Sequence, residues 1–250
     1  MNTELEKDSA PILEDILEKV DAVALDIDNT LLQTKVYYDS AIELVGLQIA
    51  EFVKSNESAI TISKRYSEVL RDIFVQSNFK PILIQELCLL AYQECFKKDP
   101  TPYIQAMIED VLFDFYAESP IPYDSTRRFF DIVISKGKKK VLHSHGQEDI
   151  TKVKVDMIKS VVGEEIPYLA TDISLKRDYV SWLKATAMID TRMQNTLVVG
   201  DNFYADILPA IQAGCKNLIW IDRGDIGYPK DYVIPFDVEV TVVNDLSELL

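Results

Sequence analysis

The sequence predicts an α/β protein, a doubly wound (Rossmann-like) parallel sheet core with an inserted all-helical cap domain. Three observations predict it. Short apolar runs recur along the chain and are mostly separated by amphipathic helical stretches. The block from 33 to 118 contains no such run and reads as helix throughout. Two aspartate-bearing segments each follow directly on an apolar run.

The runs are Ala22–Ile27, Lys140–His143, Tyr168–Thr171, Thr196–Gly200, Asn217–Ile221 and Val238–Val243. A run apolar on both faces is what a buried parallel strand requires. The last run carries Glu239, which puts it near a sheet edge. Between the runs, Glu148–Val162, Asp178–Asp190 and Tyr204–Ala213 are amphipathic. Gly214 reads as the C-cap of the third of these, and Pro209 is tolerated there if it lies in a first turn. Strand and helix in alternation give a doubly wound domain, whose ligands bind beyond the carboxyl ends of the strands.

The helical block reads as Tyr38–Lys54, Ile60–Gln76, Pro81–Lys97 and Thr101–Ala117. The turn-prone pieces Ser55–Ser58, Ser77–Pro81 and Lys98–Pro100 separate these helices. Ser119–Pro122 marks the return to the core. The predicted division is therefore a core from 1–32 and 119–250 with a cap from 33–118, and hinges near Gln33 and Ser119.

The composition is globular, with 250 residues of which 48% are hydrophobic and 27% charged. A formal charge of -15 repels nucleic-acid backbones and anionic membranes. The one basic run, Lys138–Lys140, reads as a solvated loop or helix end. Three cysteines, Cys88, Cys95 and Cys215, form no disulfide framework or CxxC pair. Cys88 and Cys95 are two helical turns apart and fit one buried helix face. The acidic start Met1–Glu6 is unlike a secretory signal, and no apolar run approaches the roughly 20 residues of a membrane helix. A cytoplasmic protein acting on a small molecule, without nucleic-acid or membrane partners, is expected.

Four segments carry chemistry. Asp26-Ile27-Asp28-Asn29-Thr30 follows the first run, and residues two apart along a strand point the same way. Two bare carboxylates side by side repel, and a cation removes the conflict. Gly200-Asp201 with Asp206 follows the Thr196–Gly200 run and opens a helix. Asp206 could equally serve that helix N-terminus as a cap or a charge. Together these aspartates bring hard oxygen ligands to the ligand-binding edge, the set that Mg²⁺ selects. Third, Ser144 ends a strand ahead of Gly146, where a hydroxyl and turn amides can hold phosphoryl oxygens. His143 reads as packed in the strand and His145 as lying at the rim. Fourth, Lys176 lies between a strand and a helix, where a cation would neutralise substrate and nucleophile.

In these segments and in their order the chain resembles the haloacid dehalogenase-like hydrolase superfamily. Asp26 and Asp28 resemble its DxDx[TV] motif, Ser144 its second-motif Ser/Thr, Lys176 its third-motif Lys, and Gly200-Asp201 with Asp206 its GDxxxxD motif. The helical block resembles the type 1 cap. His145 stands where Asn or Gly is usual, and Arg177 where Pro is common; both point to a specialised substrate. The resemblance implies a Mg²⁺-dependent hydrolase of a small phosphorylated metabolite. In it Asp26 is the covalent nucleophile and Asp28 the acid and base. Ser144, His145 and Lys176 hold the phosphoryl group. Asp26, Asp28 through its carbonyl, Asp201 and Asp206 serve the metal. Dehalogenases and phosphonatases of the superfamily lack the second aspartate, so Asp28 favours phosphate chemistry. A sugar-phosphate mutase would share all four motifs, and a non-catalytic binding module would share the fold. Tyr37, Tyr38, Lys64, Arg65, Tyr66 and Arg71 are candidate cap positions for shaping a leaving-group pocket, each more often an ordinary helix-surface residue.

Overall fold

The computed structural model describes residues 13–53, 55–76, 84–117, 120–171, 178–224 and 232–250. The strands are β1 (Ala22–Leu25), β2 (Lys139–His145), β3 (Tyr168–Thr171), β4 (Thr196–Gly200), β5 (Asn217–Ile221) and β6 (Glu239–Val243). They pair in parallel in the order β3-β2-β1-β4-β5-β6. The expected doubly wound sheet is therefore present, with charged β6 at an edge. Its growth reverses between β1 and β4, the point where such sheets open a crevice at their carboxyl ends.

Side-chain alternation sorts the core onto two faces. Val23 and Leu25 of β1 pack with Leu142, Leu197 and Val199 under α1 (Leu13–Glu18), α6 (Asp124–Ser135) and α7 (Glu148–Val162). Ala24 points the other way, with Val141 and Val198, under α8 (Tyr179–Ala187) and α9 (Leu208–Gln212). Trp182 of α8 is fully buried in that second layer. Truncating such a side chain to Ala costs about 3–5 kcal/mol. Neither α1 nor α6 was anticipated from the pattern of runs.

The inserted helices are α2 (Thr34–Phe52), α3 (Ala59–Gln76), α4 (Ile84–Phe96) and α5 (Pro102–Ala117). They surround a core of their own that includes Val45, Ile49, Tyr66, Leu70, Cys88 and Ile108. Gly46 lets α2 and α3 close on each other, because a Cβ there would lie 2.8 Å from Ser63 Oγ and 2.9 Å from its Cα. Tyr66, expected at a helix surface, is buried and donates to the Cys88 carbonyl at 2.7 Å. Burial pushes its hydroxyl well above the usual tyrosine range. Helix α2 starts a turn earlier than expected. Its Lys35 N–H donates to Asn29 Oδ1 at 2.6 Å, so the cap comes from the turn after β1 rather than from a neighbour in sequence.

Candidate functional site

The site grows from the carboxyl ends of β1 and β4. Asp26 continues β1, with its N–H donating to the Val199 carbonyl at 2.9 Å, and is 2% exposed. The chain then turns sharply. Leu31 and Leu32 N–H groups donate to the Ile27 carbonyl, and Asn29 takes a left-handed φ of 56°, which asparagine tolerates better than most residues. Thr30 folds back so that its hydroxyl donates to Asp26 Oδ2 at 2.7 Å. One Asp26 oxygen is thereby oriented by a buried donor. The turn is braced from outside by Arg223, whose Nε donates to the Asn29 carbonyl at 3.3 Å and whose guanidinium lies over Tyr123 at 4.2 Å.

After β4, Gly200 allows the next carboxylate to come close. A Cβ at Gly200 would fall 2.5 Å from Asp206 Cγ and Oδ2, a separation no side chain tolerates. Asp206 is fully buried, and its Oδ2 accepts from Asn202 N–H at 2.9 Å. The alternative role of cap therefore belongs to Asn202, whose Oδ1 accepts from Tyr204 and Ala205 N–H groups. The segment expected to be one α-helix opens instead as a π turn, Phe203–Ile207, and only then becomes α9. Pro209 falls in the first turn of α9, where its missing N–H costs no helical bond. Both tryptophans of the chain pin this loop. Trp220 Nε1 donates to the Asp201 carbonyl at 3.0 Å and Trp182 Nε1 to the Ala205 carbonyl at 3.2 Å.

The result is a triad. Asp26, Asp201 and Asp206 each place a carboxylate oxygen within 4.8 Å of the others, with Asp26 and Asp206 buried and Asp201 half-buried. Three acid groups so close are mutually repulsive unless a cation lies among them. Hard oxygen donors in this number suit a divalent ion such as Mg²⁺, which keeps its remaining positions for water or substrate. The residues present fit a divalent cation.

Asp28 lies outside this triad. It is half-buried, and Lys154 of α7 donates to its Oδ1 at 2.6 Å and to its Oδ2 at 2.8 Å. Ser144, buried at the end of β2, donates to Asp28 Oδ2 at 3.3 Å. Ser144 is thus drawn to the same edge as the aspartates. His145 ends β2 and is half-buried. His143 is buried in the strand, its ring against Trp182 at 4.4 Å edge-on. Lys176 lies outside the described residues, as does Ser119. Gln33 is described, and its N–H donates to the Ile121 carbonyl at 2.8 Å, so the two chain crossings into the cap are hydrogen-bonded together.

Two contributors escaped the sequence reading, Lys154 and Arg223. Lys154 carried a readable signal. Thr151, Val155, Ile158 and Val162 form the buried stripe of α7, and position 154 falls on that stripe. A lone lysine there must find an anion. From the cap, Tyr38 reaches the same region. Burial first, and the negative charge of Asp28 second, push its hydroxyl above the usual tyrosine range. Its ring meets Phe115 at 4.7 Å.

No family model and no curated protein matches the chain. Solved structures do. A putative HAD-hydrolase of Bacillus subtilis, YfnB, bound to magnesium, is similar at a TM-score of 0.64 and 14% identity, over 92% of this chain and 97% of that one. A putative beta-phosphoglucomutase of Thermotoga maritima gives 0.60 and 15%, over 92% and 96%. A 2-haloacid dehalogenase of Pseudomonas syringae gives 0.55 and 16%, over 92% and 96%. The fold is that of the haloacid dehalogenase-like hydrolases. Among the described residues, no helix is long and apolar enough to cross a membrane.

Proposed function

We propose that this chain, built on the haloacid dehalogenase-like fold, is a Mg²⁺-dependent phosphatase that hydrolyses a small phosphate monoester through an aspartyl-phosphate on Asp26. The observation that carries the reading is the separation of duties between the two aspartates of one turn. Asp26 belongs to the acidic triad with Asp201 and Asp206, whereas Asp28 accepts from Ser144 and Lys154. A carboxylate beside a cation site suits attack on an anion. A second carboxylate, held in place by a hydroxyl and an ammonium, is positioned to exchange a proton with the leaving oxygen.

In this reading Asp26 Oδ attacks phosphorus while the bond to the leaving oxygen breaks. Thr30, donating to Asp26 Oδ2, orients the nucleophile. Asp28 gives a proton to the leaving oxygen, then takes one from the water that attacks the phosphoryl-Asp26. That water displaces phosphate and returns Asp26 to its carboxylate. Ser144, and Lys176 by resemblance, orient the phosphoryl oxygens. Lys154 holds Asp28 between the two proton transfers. Asp26, Asp201, Asp206 and the Asp28 carbonyl would hold the ion. When bound, Mg²⁺ supplies charge neutralisation between the anionic nucleophile and the anionic substrate. The substrate is a small phosphorylated metabolite, and the chain's charge of -15 disfavours nucleic acid or anionic membranes as partners.

The test is phosphate release from p-nitrophenyl phosphate and a panel of phosphometabolites, with Mg²⁺, with EDTA and with Asp26→Asn. Turnover that needs Mg²⁺ and falls to background in a folded Asp26→Asn variant is expected. Turnover that survives in that variant would sink the covalent mechanism. Interconversion of phosphosugar isomers without phosphate release would replace the phosphatase by a mutase.

A further inference from the structure

Arg223 lies just past β5, where the Asp222 N–H donates to the Val243 carbonyl at 2.8 Å. All three of its guanidinium nitrogens are engaged. Nη1 donates to the Asn244 carbonyl at 2.8 Å and Nη2 to Asp245 Oδ2 at 3.4 Å, which anchors the head group to the C-terminal segment. Nε points the other way, to the Asn29 carbonyl at 3.3 Å, and the flat face covers the Tyr123 ring. A planar fork can serve these partners together, and the point charge of a lysine cannot. What the fork holds is the middle of the turn that carries the chemistry. Asn29 sits between Asp28 and Thr30 in the left-handed region, which a residue other than glycine keeps only where its surroundings impose it. Its side-chain oxygen accepts from the Lys35 N–H, so the same residue starts the first cap helix. Tyr123, under the guanidinium, is joined to the turn as well, its N–H donating to the Leu31 carbonyl at 3.0 Å.

We infer that Arg223 is a positioning residue of the proposed reaction, one that keeps Asp28 aimed at the leaving oxygen by holding the Asn29 carbonyl. The inference rests on the phosphatase reading of Asp28. Arg223 acts through the backbone of the turn and not on the substrate. Without its Nε, the Asn29–Thr30 peptide can rotate and Asn29 can leave the left-handed region, and the neighbouring Asp28 moves with them. Such a displacement has a chemical signature. A leaving oxygen that departs readily as an anion needs little help from an acid, whereas a poorer one needs its proton. A loss of folded protein lowers both reactions alike. A misplaced acid lowers the second far more.

The test compares the full chain with Arg223→Met and Arg223→Lys in saturating Mg²⁺, on phenyl phosphate and on p-nitrophenyl phosphate. In Arg223→Met, kcat on phenyl phosphate should fall about 10-fold or more beyond its fall on p-nitrophenyl phosphate, a part of what a placed general acid supplies. Arg223→Lys should recover some of that difference, and it carries the same comparison if Arg223→Met does not fold. Amide hydrogen exchange reads the hold on the turn without any turnover. The Asn29 and Lys35 amides should exchange about 10-fold or more faster in the variant that loses Nε, with the amides of α3 unchanged. Equal fractional losses on the two substrates would reduce Arg223 to a structural tie and overturn the assignment, as would unchanged exchange at Asn29 and Lys35. Faster exchange in a chain with no Mg²⁺-dependent, Asp26-dependent turnover would leave the hold on the turn standing and remove the phosphatase reading instead.

Discussion

Lys154 and Asp28, 126 residues apart in sequence, meet at the edge of the sheet with the ammonium 2.6 and 2.8 Å from the two carboxylate oxygens. The pair is mostly shielded, its side chains 12% and 24% exposed. Charge-assisted bonds in such a setting are stronger than surface ion pairs. They also set where the Asp28 oxygens point, which gives Lys154 a positioning role in the proposed chemistry.

Replacing Lys154 by Met should lower kcat by about 10-fold or more, within the 10²–10⁴-fold that general acid–base participation supplies. KM should change little, because the lysine acts through Asp28 rather than on the substrate. Lys154→Arg should recover part of kcat. Steady-state kinetics of the three forms decide the matter. A rise in KM at constant kcat would instead make Lys154 a direct substrate ligand.

Gly200→Ala should be among the most damaging small changes. The added Cβ enters the space of the Asp206 carboxylate, 2.5 Å from Cγ. Overpacking of this kind costs about 1–3 kcal/mol. Displacing Asp206 should also weaken divalent-ion binding. Denaturant melts and Mn²⁺ titration followed by electron paramagnetic resonance test both halves, and a silent substitution would contradict the close approach.

Mg²⁺ should raise the melting temperature of the chain, since an ion bound to the folded state stabilises it by mass action. Asp201→Asn and Asp206→Asn should each reduce that rise. Each should also raise the metal-free melting temperature, because removing one of three crowded carboxylates relieves repulsion. Differential scanning fluorimetry with and without Mg²⁺ reads both effects. A variant that loses stability in EDTA while keeping the full Mg²⁺ rise would place the ion elsewhere.

The buried thiols bear on pH. Burial pushes Cys215 up to about 12 and Cys88 up to about 11, both from 9.0. A raised value means the folded state holds its proton longer than the unfolded chain does. The stability tied to these thiols is whole below pH 9 and is lost as pH rises through 11 to 12. Urea melts should show a midpoint that falls between pH 9 and 11, and less steeply in Cys215→Ala. At pH 8, a thiol reagent should label half-buried Cys95 first, because Cys88 and Cys215 are buried.

Much of the molecule is legible without coordinates. The runs at Tyr168–Thr171, Thr196–Gly200 and Asn217–Ile221 coincide with β3, β4 and β5, and Glu148–Val162 with α7. Apolar periodicity and turn residues are local signals, and these elements obey them. Helices α1 and α6 were missed because α1 is short and α6 follows at once on the cap, where no strand precedes it to set the rhythm. The π turn at Phe203–Ile207 was missed because it answers to a distant demand, the seating of Asp206 against Gly200.

By itself the sequence determined the α/β class, the strands, the helical insertion and the aspartates at the ends of two strands, since each follows from residue order and spacing. The tertiary structure alone decided which carboxylates meet. Asp26 joins Asp201 and Asp206 because β1 and β4 are neighbours, a matter of strand order that no local pattern encodes. Asp28 turns instead to Lys154, because the phase of α7 against the sheet carries that lysine inward. Contacts between remote segments depend on how layers pack, and packing is settled by the whole chain at once.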